Sequence, residues 1–196
     1  IGVASTKAFT TQLMSMACFT LALADSKKTI SPEEKAKLSY SLSQMSSRMV
    51  DIFHHDKAIA DLSKELINSS HIIYIGRGLT YPLALEGALK LKEITYIPAE
   101  ANAAGELKHG PIALVDDSIP IIAIAPSDEL FEKTAANINE VVARGGKVIL
   151  LSDKKGIKKL KDIVYKTIEL PEADPFATPI LYSVPIQLIA YYVALA

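Results

Sequence analysis

Three ionisable side chains, Glu86, Lys90 and Glu93, recur at intervals of four and three residues in a stretch of good helix formers. At about 100° per residue, they fall within roughly 60° of one another on one helical face. Apolar residues border the acid–base–acid stripe on both sides, which suits a partly buried cleft. A carboxylate beside apolar walls is a good general base, because desolvation raises its pKa toward neutrality. A neighbouring lysine can donate a proton to a developing oxyanion.

The same spacing also fits an ordinary surface ion pair between Glu86 and Lys90. Such a pair contributes only a few tenths of a kcal/mol to helix stability. Periodicity alone does not decide between the surface pair and the cleft.

A second polar cluster lies in residues 100–111, where small residues precede a Gly-Pro stop. His109 is the side chain in this cluster that titrates near neutral pH. A histidine at a helix end is more often a structural residue, but together with the preceding helix it makes Glu93 and His109 a candidate catalytic pair. No metal site is expected, because His54 and His55 are adjacent and point in different directions on a helix, while His71 stands alone.

Two further segments allow more than one interpretation. Residues 76–80, Gly-Arg-Gly-Leu-Thr, follow an apolar run, and Thr80 is predicted to cap the next helix. Free N–H groups at a helix start attract anions, but such turns use glycine for geometry and packing just as often. Residues 1–12 contain small and hydroxylated side chains and resemble an ordinary helix start.

The elements that position these residues follow a strand–helix alternation. Short, continuous runs rich in β-branched residues predict strands buried on both faces, at 71–75, 119–124, 147–151 and 166–170, with a further short one at 96–100. Helices are predicted at 82–95, 127–144 and 157–164. This alternation predicts an α/β fold with a doubly wound parallel sheet and right-handed crossovers. In such folds the functional crevice lies beyond the carboxyl ends of the strands.

Helical segments precede the sheet and one helix follows it. Predicted helices cover 7–24, 31–53 and 56–67, the second opening with Ser31 as N-cap and Pro32 at its first position. The last runs from about 178 to the end, and Pro185 is expected to kink it. We therefore predict one domain over 1–196, with a helical segment at 1–68 leading into a parallel-sheet core at 69–196.

Composition narrows the classes of function. The chain has 196 residues, 49% hydrophobic, and a net charge of −1, which predicts neither nucleic acid nor a membrane surface as a partner. The apolar stretches are interrupted too often to predict a transmembrane helix.

Cys18, the single cysteine, lies in an apolar run and is predicted to be a small buried residue. A chain with one cysteine is expected in a reducing, cytoplasmic compartment. Since the chain opens on Ile1 and closes on an apolar run, we expect an excised piece of a longer protein.

Three blocks carry a resemblance to a known family. Gly-Val-Ala-Ser-Thr-Lys at 2–7, Leu-Glu-Gly-Ala-Leu-Lys-Leu-Lys-Glu at 85–93 and Ala-Ala-Gly-Glu-Leu-Lys-His-Gly-Pro at 103–111 closely resemble the glucosamine-6-phosphate synthase family. The resemblance implies an SIS-type fold and the second of two sugar isomerase (SIS) subdomains. It also implies an enzyme that makes glucosamine 6-phosphate from fructose 6-phosphate and glutamine, without a cofactor.

The resemblance also implies roles for individual residues. Glu93 matches the family's general base, Lys90 an active-site lysine, and His109 the histidine that opens the sugar ring from the partner subunit of a homodimer. The backbone at Val3 matches a position beside the bound sugar, and Glu86 is placed as a supporting residue in the substrate site.

The family's glutaminase domain, its first SIS subdomain with the phosphate-holding loop, and a lysine-bearing tail have no counterpart in this sequence. We therefore expect little activity from this chain alone, because proximity and orientation can account for several kcal/mol of a barrier. The alternative is a non-catalytic SIS module that binds a sugar phosphate, as in some transcriptional regulators, and it would need no base. A purely structural dimerisation unit is a third interpretation, since the apolar helices at the start could pair with another chain.

Overall fold

The architecture is a five-stranded parallel sheet with helices on both faces, in a computed structural model that describes residues 4–196. Val3, predicted to lie beside a bound sugar, is outside the described residues. The strand order is β2-β1-β3-β4-β5 and every neighbouring pair is parallel. The strands are β1 (Ile72–Gly76), β2 (Ala99–Ala103), β3 (Pro120–Ile124), β4 (Lys147–Asp153) and β5 (Lys166–Leu170). The predicted α/β class with a doubly wound parallel sheet is confirmed.

The central strands are buried on both faces, as their continuous apolar sequences predict. All five residues of β1 are buried, and so are all residues of β4 after Lys147. β5 differs, because it lies at the edge of the sheet and exposes Thr167 and Glu169 in an alternating pattern. The prediction of two-sided burial is therefore wrong for β5.

Residues 4–196 form eight α-helices around the sheet. They are α1 (Thr6–Ser26), α2 (Pro32–Ser43), α3 (Met45–Ile52), α4 (Asp56–Leu66), α5 (Thr80–Thr95), α6 (Phe131–Ala143), α7 (Lys154–Leu160) and α8 (Thr178–Leu195). Short 3-10 helices cover Phe53–His55, Ala104–His109 and Pro111–Leu114. The Ser31 hydroxyl accepts the Glu34 N–H at 3.1 Å, which confirms the predicted cap of α2. The single helix predicted over 31–53 is wrong, because a turn at Gln44 separates α2 from α3.

Two apolar cores lie on opposite faces of the sheet. The first joins Ile72 and Tyr74 of β1 to buried residues of α1 to α5 and α8. The second joins Ile73 and Ile75 of β1 to α6, α7 and the 3-10 helix Ala104–His109. Alternate residues of β1 thus point into different cores, and the sheet separates the two groups of helices.

Helix α8 is apolar and long enough, by length and composition, to cross a membrane, although the sequence predicts no such span. In the fold, 56% of that 18-residue window is buried, and α8 packs most extensively against α5 and α4. We therefore interpret α8 as a core helix. Pro185 lies within this helix, where it lacks the N–H that would bond to the Leu181 carbonyl.

Helix α1 presents an apolar face that the described residues leave uncovered. Met16 is 61% exposed and Phe19 62%, while Leu21 is the buried residue of this helix. Cys18 is also exposed, so its predicted burial is wrong. The reason is that Cys18 lines an open cleft of about 490 Å³ between α1 and α2 instead of packing in the core.

Candidate active site

The acid–base–acid stripe lies on α5, which crosses from β1 to β2 on one face of the sheet. Gly87 faces the sheet here, since a Cβ at this position would lie 2.6 Å from the Tyr74 ring. This close approach seats the middle of α5 against β1. The buried side of the helix includes Leu83, Leu91 and, unusually, Lys90.

Lys90 is held between two carboxylates. Its Nζ donates a hydrogen bond to Glu93 Oε2 at 2.7 Å and lies 3.6 Å from Glu86 Oε1. Only 6% of the Lys90 side chain is exposed, against 11% for Glu86 and 27% for Glu93. The interpretation as a surface ion pair is therefore wrong, because burial of this kind removes most of the solvent screening.

Glu86 is the more enclosed of the two carboxylates. Its Oε1 atom is buried and makes no hydrogen bond to any residue of the described chain. Burial raises the pKa of Glu86 above its ordinary value, while attraction to Lys90 opposes this shift. The more exposed Glu93 has the short contact with Lys90 and remains open to an approaching molecule.

A cleft of about 490 Å³ opens beside this stripe. Its walls are the start of α1, the second half of α5 and the second half of α8, and the lining residues are Ala4, Ser5, Thr6, Lys7, Ala8, Lys90, Ile94, Gln187, Ala190 and Tyr191. The sequence block at 2–7 and the helix block at 85–93 are thus brought together, as far as the described residues extend.

Contacts with α8 fix the start of α1 at the cleft. Gln187 Nε2 donates to the Thr6 carbonyl at 3.3 Å, and the hydroxyls of Thr10 and Ser183 are 3.2 Å apart. Sequence reasoning missed the contribution of Gln187 and Tyr191 to this cleft. The signal available was Gln187 itself, an amide in an otherwise apolar helix.

The cleft lies within the helix layer, so the prediction of a crevice beyond the carboxyl ends of the strands is wrong for the stripe. The reason is geometric: a crossover helix runs antiparallel to the strands it joins, so the second half of α5 lies toward their amino ends.

Glycine is required at the end of β1 by close packing, because a Cβ on Gly76 would lie 2.3 Å from the Thr80 carbonyl oxygen. Thr80 is not the N-cap of α5, because its hydroxyl accepts from Arg77 N at 2.9 Å and Leu79 holds the cap position.

His109 lies apart from the stripe. It ends the 3-10 helix Ala104–His109, which packs on α6 against the second core, whereas α5 packs against the first. The His109 side chain is 74% exposed, and its Nδ1 lies 2.7 Å from Glu106 Oε2. One chain therefore does not bring Glu93 and His109 together, because the sheet stands between their supporting elements.

The arrangement on α5 suits proton transfer to and from a bound molecule. It offers an ammonium group, Lys90, that lines a cleft and lies at hydrogen-bond distance from a carboxylate, Glu93. Among residues 4–196, no group of three His, Cys, Asp or Glu side chains is close enough to hold a metal ion. A carboxylate in contact with an ammonium group is a pair that general acid–base chemistry can use.

Comparison with known proteins agrees with this architecture. The model of the SIS domain family matches residues 65–196. The chain is 49% identical over 194 residues to the glutamine–fructose-6-phosphate aminotransferase (isomerizing) of Brucella abortus, and 50% identical over 195 residues to that of Rhizobium meliloti. In both comparisons the match covers 99% of this chain and 32% of the relative. The chain therefore spans about a third of the length of these relatives.

Solved structures share the fold of this chain. The C-terminal domain of glucosamine-fructose-6-phosphate aminotransferase from Francisella tularensis superposes with a TM-score of 0.95 at 47% identity, covering 100% of this chain and 55% of that one. The tagatose-6-phosphate ketose/aldose isomerase of Escherichia coli shares the fold at 22% identity, with a TM-score of 0.63 over 78% of this chain and 42% of that one. Because the family model covers most of the chain, and the five-stranded parallel sheet agrees with these structures, the chain belongs to the SIS domain family.

Proposed function

We propose that this chain is the second SIS subdomain of an isomerising glutamine–fructose-6-phosphate aminotransferase, which converts fructose 6-phosphate and glutamine-derived ammonia to glucosamine 6-phosphate. The observation that carries this proposal is the hydrogen bond from buried Lys90 to the half-buried Glu93, beside a cleft that Lys90 and the start of α1 line. Relatives with 45–50% identity carry that enzyme's name. The chemical class is ketose–aldose isomerisation.

In this proposal Glu93 is the base that moves a proton between C1 and C2 of the sugar. Lys90 donates a hydrogen bond to the same carboxylate and orients it for the transfer. Glu86 supports Lys90 from the enclosed side of the stripe. No cofactor is proposed, because Glu93 can both remove the proton and return it.

His109 is proposed to open the sugar ring in a site belonging to a second copy of the chain. The support is that His109 is exposed and lies on the opposite face of the sheet from α5. A homodimer would carry the histidine of one copy to the Glu93 of the other. The uncovered apolar face of α1 is consistent with contact to another chain or domain.

The remaining parts of the proposed enzyme are a glutaminase domain and a first SIS subdomain, and the relatives are about three times as long as this chain. We propose that the 196 residues alone have little activity, since most of the groups that would hold the substrate are supplied elsewhere. The proposed compartment is the cytoplasm. Nucleic acid and membrane are not proposed as partners, because the net charge is −1.

The test is the Glu93→Gln substitution in the full-length polypeptide that contains this sequence. We expect synthesis of glucosamine 6-phosphate to fall by about 10²-fold or more, the usual contribution of a general base, while glutamine hydrolysis continues. A matched control is the same substitution at Glu65 of α4, Glu65→Gln, which removes a carboxylate from an exposed ion pair with Lys166 of β5.

Unchanged synthesis in Glu93→Gln would show that Glu93 is not the base. If the full-length protein binds fructose 6-phosphate but neither the wild type nor any variant converts it to product, the non-catalytic SIS module becomes the better interpretation. Binding is measured by calorimetry on the same preparations.

A further inference from the structure

Lys90 has two carboxylates within reach but makes a hydrogen bond to only one of them in the described structure. Its Nζ is 2.7 Å from Glu93 Oε2 and 3.6 Å from Glu86 Oε1. A separation of 3.6 Å is beyond a hydrogen bond but within an ion pair. The Glu86 oxygen that faces the ammonium group is buried without any hydrogen-bond partner among the described residues. An acceptor in this position is ready to receive a donor.

The charge on the stripe changes when a base takes up a proton. If Glu93 accepts a proton from a substrate carbon, Lys90 loses its carboxylate partner while remaining 94% buried, since only 6% of its side chain is exposed. An unpaired charge in such a place is costly. Glu86 is four residues before Lys90 on the same helical face, so a small rotation of the flexible lysine stem is enough to close the 3.6 Å gap.

We propose that Glu86 is a positioning residue that receives the Lys90 ammonium group when Glu93 becomes protonated, so that Lys90 alternates between the two carboxylates during each turnover. This inference deepens the proposed function and rests on Glu93 being the base. The electron pair of the broken C–H bond passes into an enediolate-type intermediate of the sugar, and the proton stays on Glu93 until it is returned to the neighbouring carbon. Lys90 keeps its own protons while it changes partner. The movement removes the ammonium group from Glu93 while that residue holds the proton.

Other elements do not offer Lys90 a comparable acceptor among the described residues. The groups acting electrostatically on Glu86 are Lys90 and Glu93. The elements packed on α5 carry few titratable side chains: Tyr74 on β1, Glu100 on β2, and Tyr182, Tyr191 and Tyr192 on α8, with Lys7 of α1 lining the cleft. Of these, Glu100 is the one carboxylate, and it is engaged by Asn102 at 3.2 Å.

The first test is structural and needs no substrate. The Glu93→Gln side chain is neutral and mimics the protonated base, so a crystal structure of this variant should place Lys90 Nζ about 2.8 Å from a Glu86 oxygen. The wild-type protein, crystallised under the same conditions, should keep Lys90 on Glu93. If Lys90 Nζ remains on the side-chain oxygen of the glutamine and more than 3.5 Å from Glu86, the proposal is wrong.

The second test is kinetic and uses the full-length polypeptide with the Glu86→Gln substitution. With its second acceptor removed, Lys90 stays on Glu93 and makes it a weaker base. We therefore expect kcat to fall by about tenfold with less than about a twofold change in KM, and the acid limb of the kcat–pH profile to move to lower pH. Glu65→Gln, which removes an exposed carboxylate far from the stripe, should leave all three quantities unchanged.

The outcomes separate this inference from the proposed function. A lower kcat with an unmoved pH profile would indicate a merely structural role for Glu86 and overturn the proposal. Wild-type kinetics in Glu86→Gln would also overturn it while leaving Glu93 as the base. Full activity in Glu93→Gln would instead remove the proposed function and, with it, the alternation of Lys90 during turnover.

Discussion

A buried lysine between two carboxylates couples the stability of α5 to its chemistry. Lys90 balances the charge of Glu93 directly and that of Glu86 at a longer distance. Neither carboxylate is fully solvated, so each depends on the ammonium group for part of the interaction that water would otherwise supply. The stripe is therefore a unit in which removal of the central residue affects both neighbours.

The Lys90→Met substitution tests this dependence. Methionine has a similar volume but no charge, so the folded chain should lose about 1–3 kcal/mol of stability at neutral pH, the cost of leaving enclosed polar groups unpaired. The loss should shrink as the pH falls through the raised pKa of Glu86, because the enclosed carboxylate then takes up a proton. Urea denaturation at neutral and at acid pH measures it. Lys64→Met, in an exposed pair with Asp61, is the control and should change stability by less than about 0.5 kcal/mol. Equal losses in the two variants would contradict the coupling.

Asp153 is a second enclosed carboxylate, and it organises the turns that follow β3 and β4. Its Oδ2 accepts the Ser127 N–H at 2.7 Å, and its Oδ1 accepts N–H groups of Lys155 at 3.0 Å and Gly156 at 3.2 Å. Burial raises the pKa of Asp153, but these hydrogen bonds outweigh burial and hold the pKa below its ordinary value. The ionised form is therefore the one that stabilises the fold.

A lowered pKa in the folded state fixes the direction of the pH dependence. The contribution of Asp153 should be complete above about pH 4, the ordinary value for an unfolded aspartate, and should disappear as the pH falls through the lower folded-state value. Asp153→Ala should cost about 1–3 kcal/mol at pH 7. Its deficit relative to the wild type should narrow in acid, as followed by guanidinium denaturation between pH 2.5 and 7. The exposed Asp117→Ala is the control, and a pH-independent deficit in Asp153→Ala would contradict the assignment.

At the scale of elements, the packing of α5 against the sheet determines the position of the Glu86–Lys90–Glu93 stripe. Gly87 permits the close approach to Tyr74, because a Cβ would lie 2.6 Å from its ring. Alanine is the better helix former by about 1 kcal/mol, but overpacking typically costs about 1–3 kcal/mol. We therefore expect Gly87→Ala to be destabilised overall, as measured by thermal and urea unfolding.

A double-mutant cycle identifies the contact responsible. Tyr74→Leu removes the ring, so adding Gly87→Ala in that background should be neutral or stabilising, with a coupling of about 0.5–3 kcal/mol between the two sites. If Gly87→Ala costs the same with and without the ring, the close packing against Tyr74 does not explain the glycine.

Local sequence signals located most elements but not all of their limits. The continuous β-branched runs gave the central strands, and Ser31 with Pro32 gave the start of α2. The strand predicted at 96–100 is shifted to Ala99–Ala103, because α5 continues to Thr95 and ends with Tyr96 in the left-handed conformation at φ 61°. The break at Gln44 carries no glycine or proline signal, so the local sequence did not predict it.

At the scale of the whole molecule, helical spacing predicted the stripe but could not show that it is buried. That burial depends on α8, which lies about a hundred residues later in the sequence and packs along α5. For the same reason Gln187 and Tyr191 were not predicted at the cleft. The three sequence blocks were sufficient for the family resemblance, whereas the separation of His109 from α5 emerges only from the way the sheet divides the two cores.

The separation of Glu93 and His109 gives a test of the proposed shared sites. Full-length Glu93→Gln and His109→Gln variants should each be inactive alone as homodimers. After unfolding and reassembly of an equal mixture, half of the dimers are mixed, and each mixed dimer has one site with both native residues. About a quarter of wild-type activity should return. If no activity returns, both residues of a site belong to the same subunit.

The position of α8 in the sequence has a consequence for synthesis of the protein. This helix follows every strand, yet it supplies Ile180, Leu181, Ile186, Ile189 and other buried residues to the core that covers one face of the sheet. A ribosome that has completed β5 therefore carries a nascent chain with a wide apolar surface still open to solvent. Such surfaces attract chaperones and favour aggregation. Slow translation of the codons just before Thr178 should prolong this stage, and the yield of folded protein should fall accordingly.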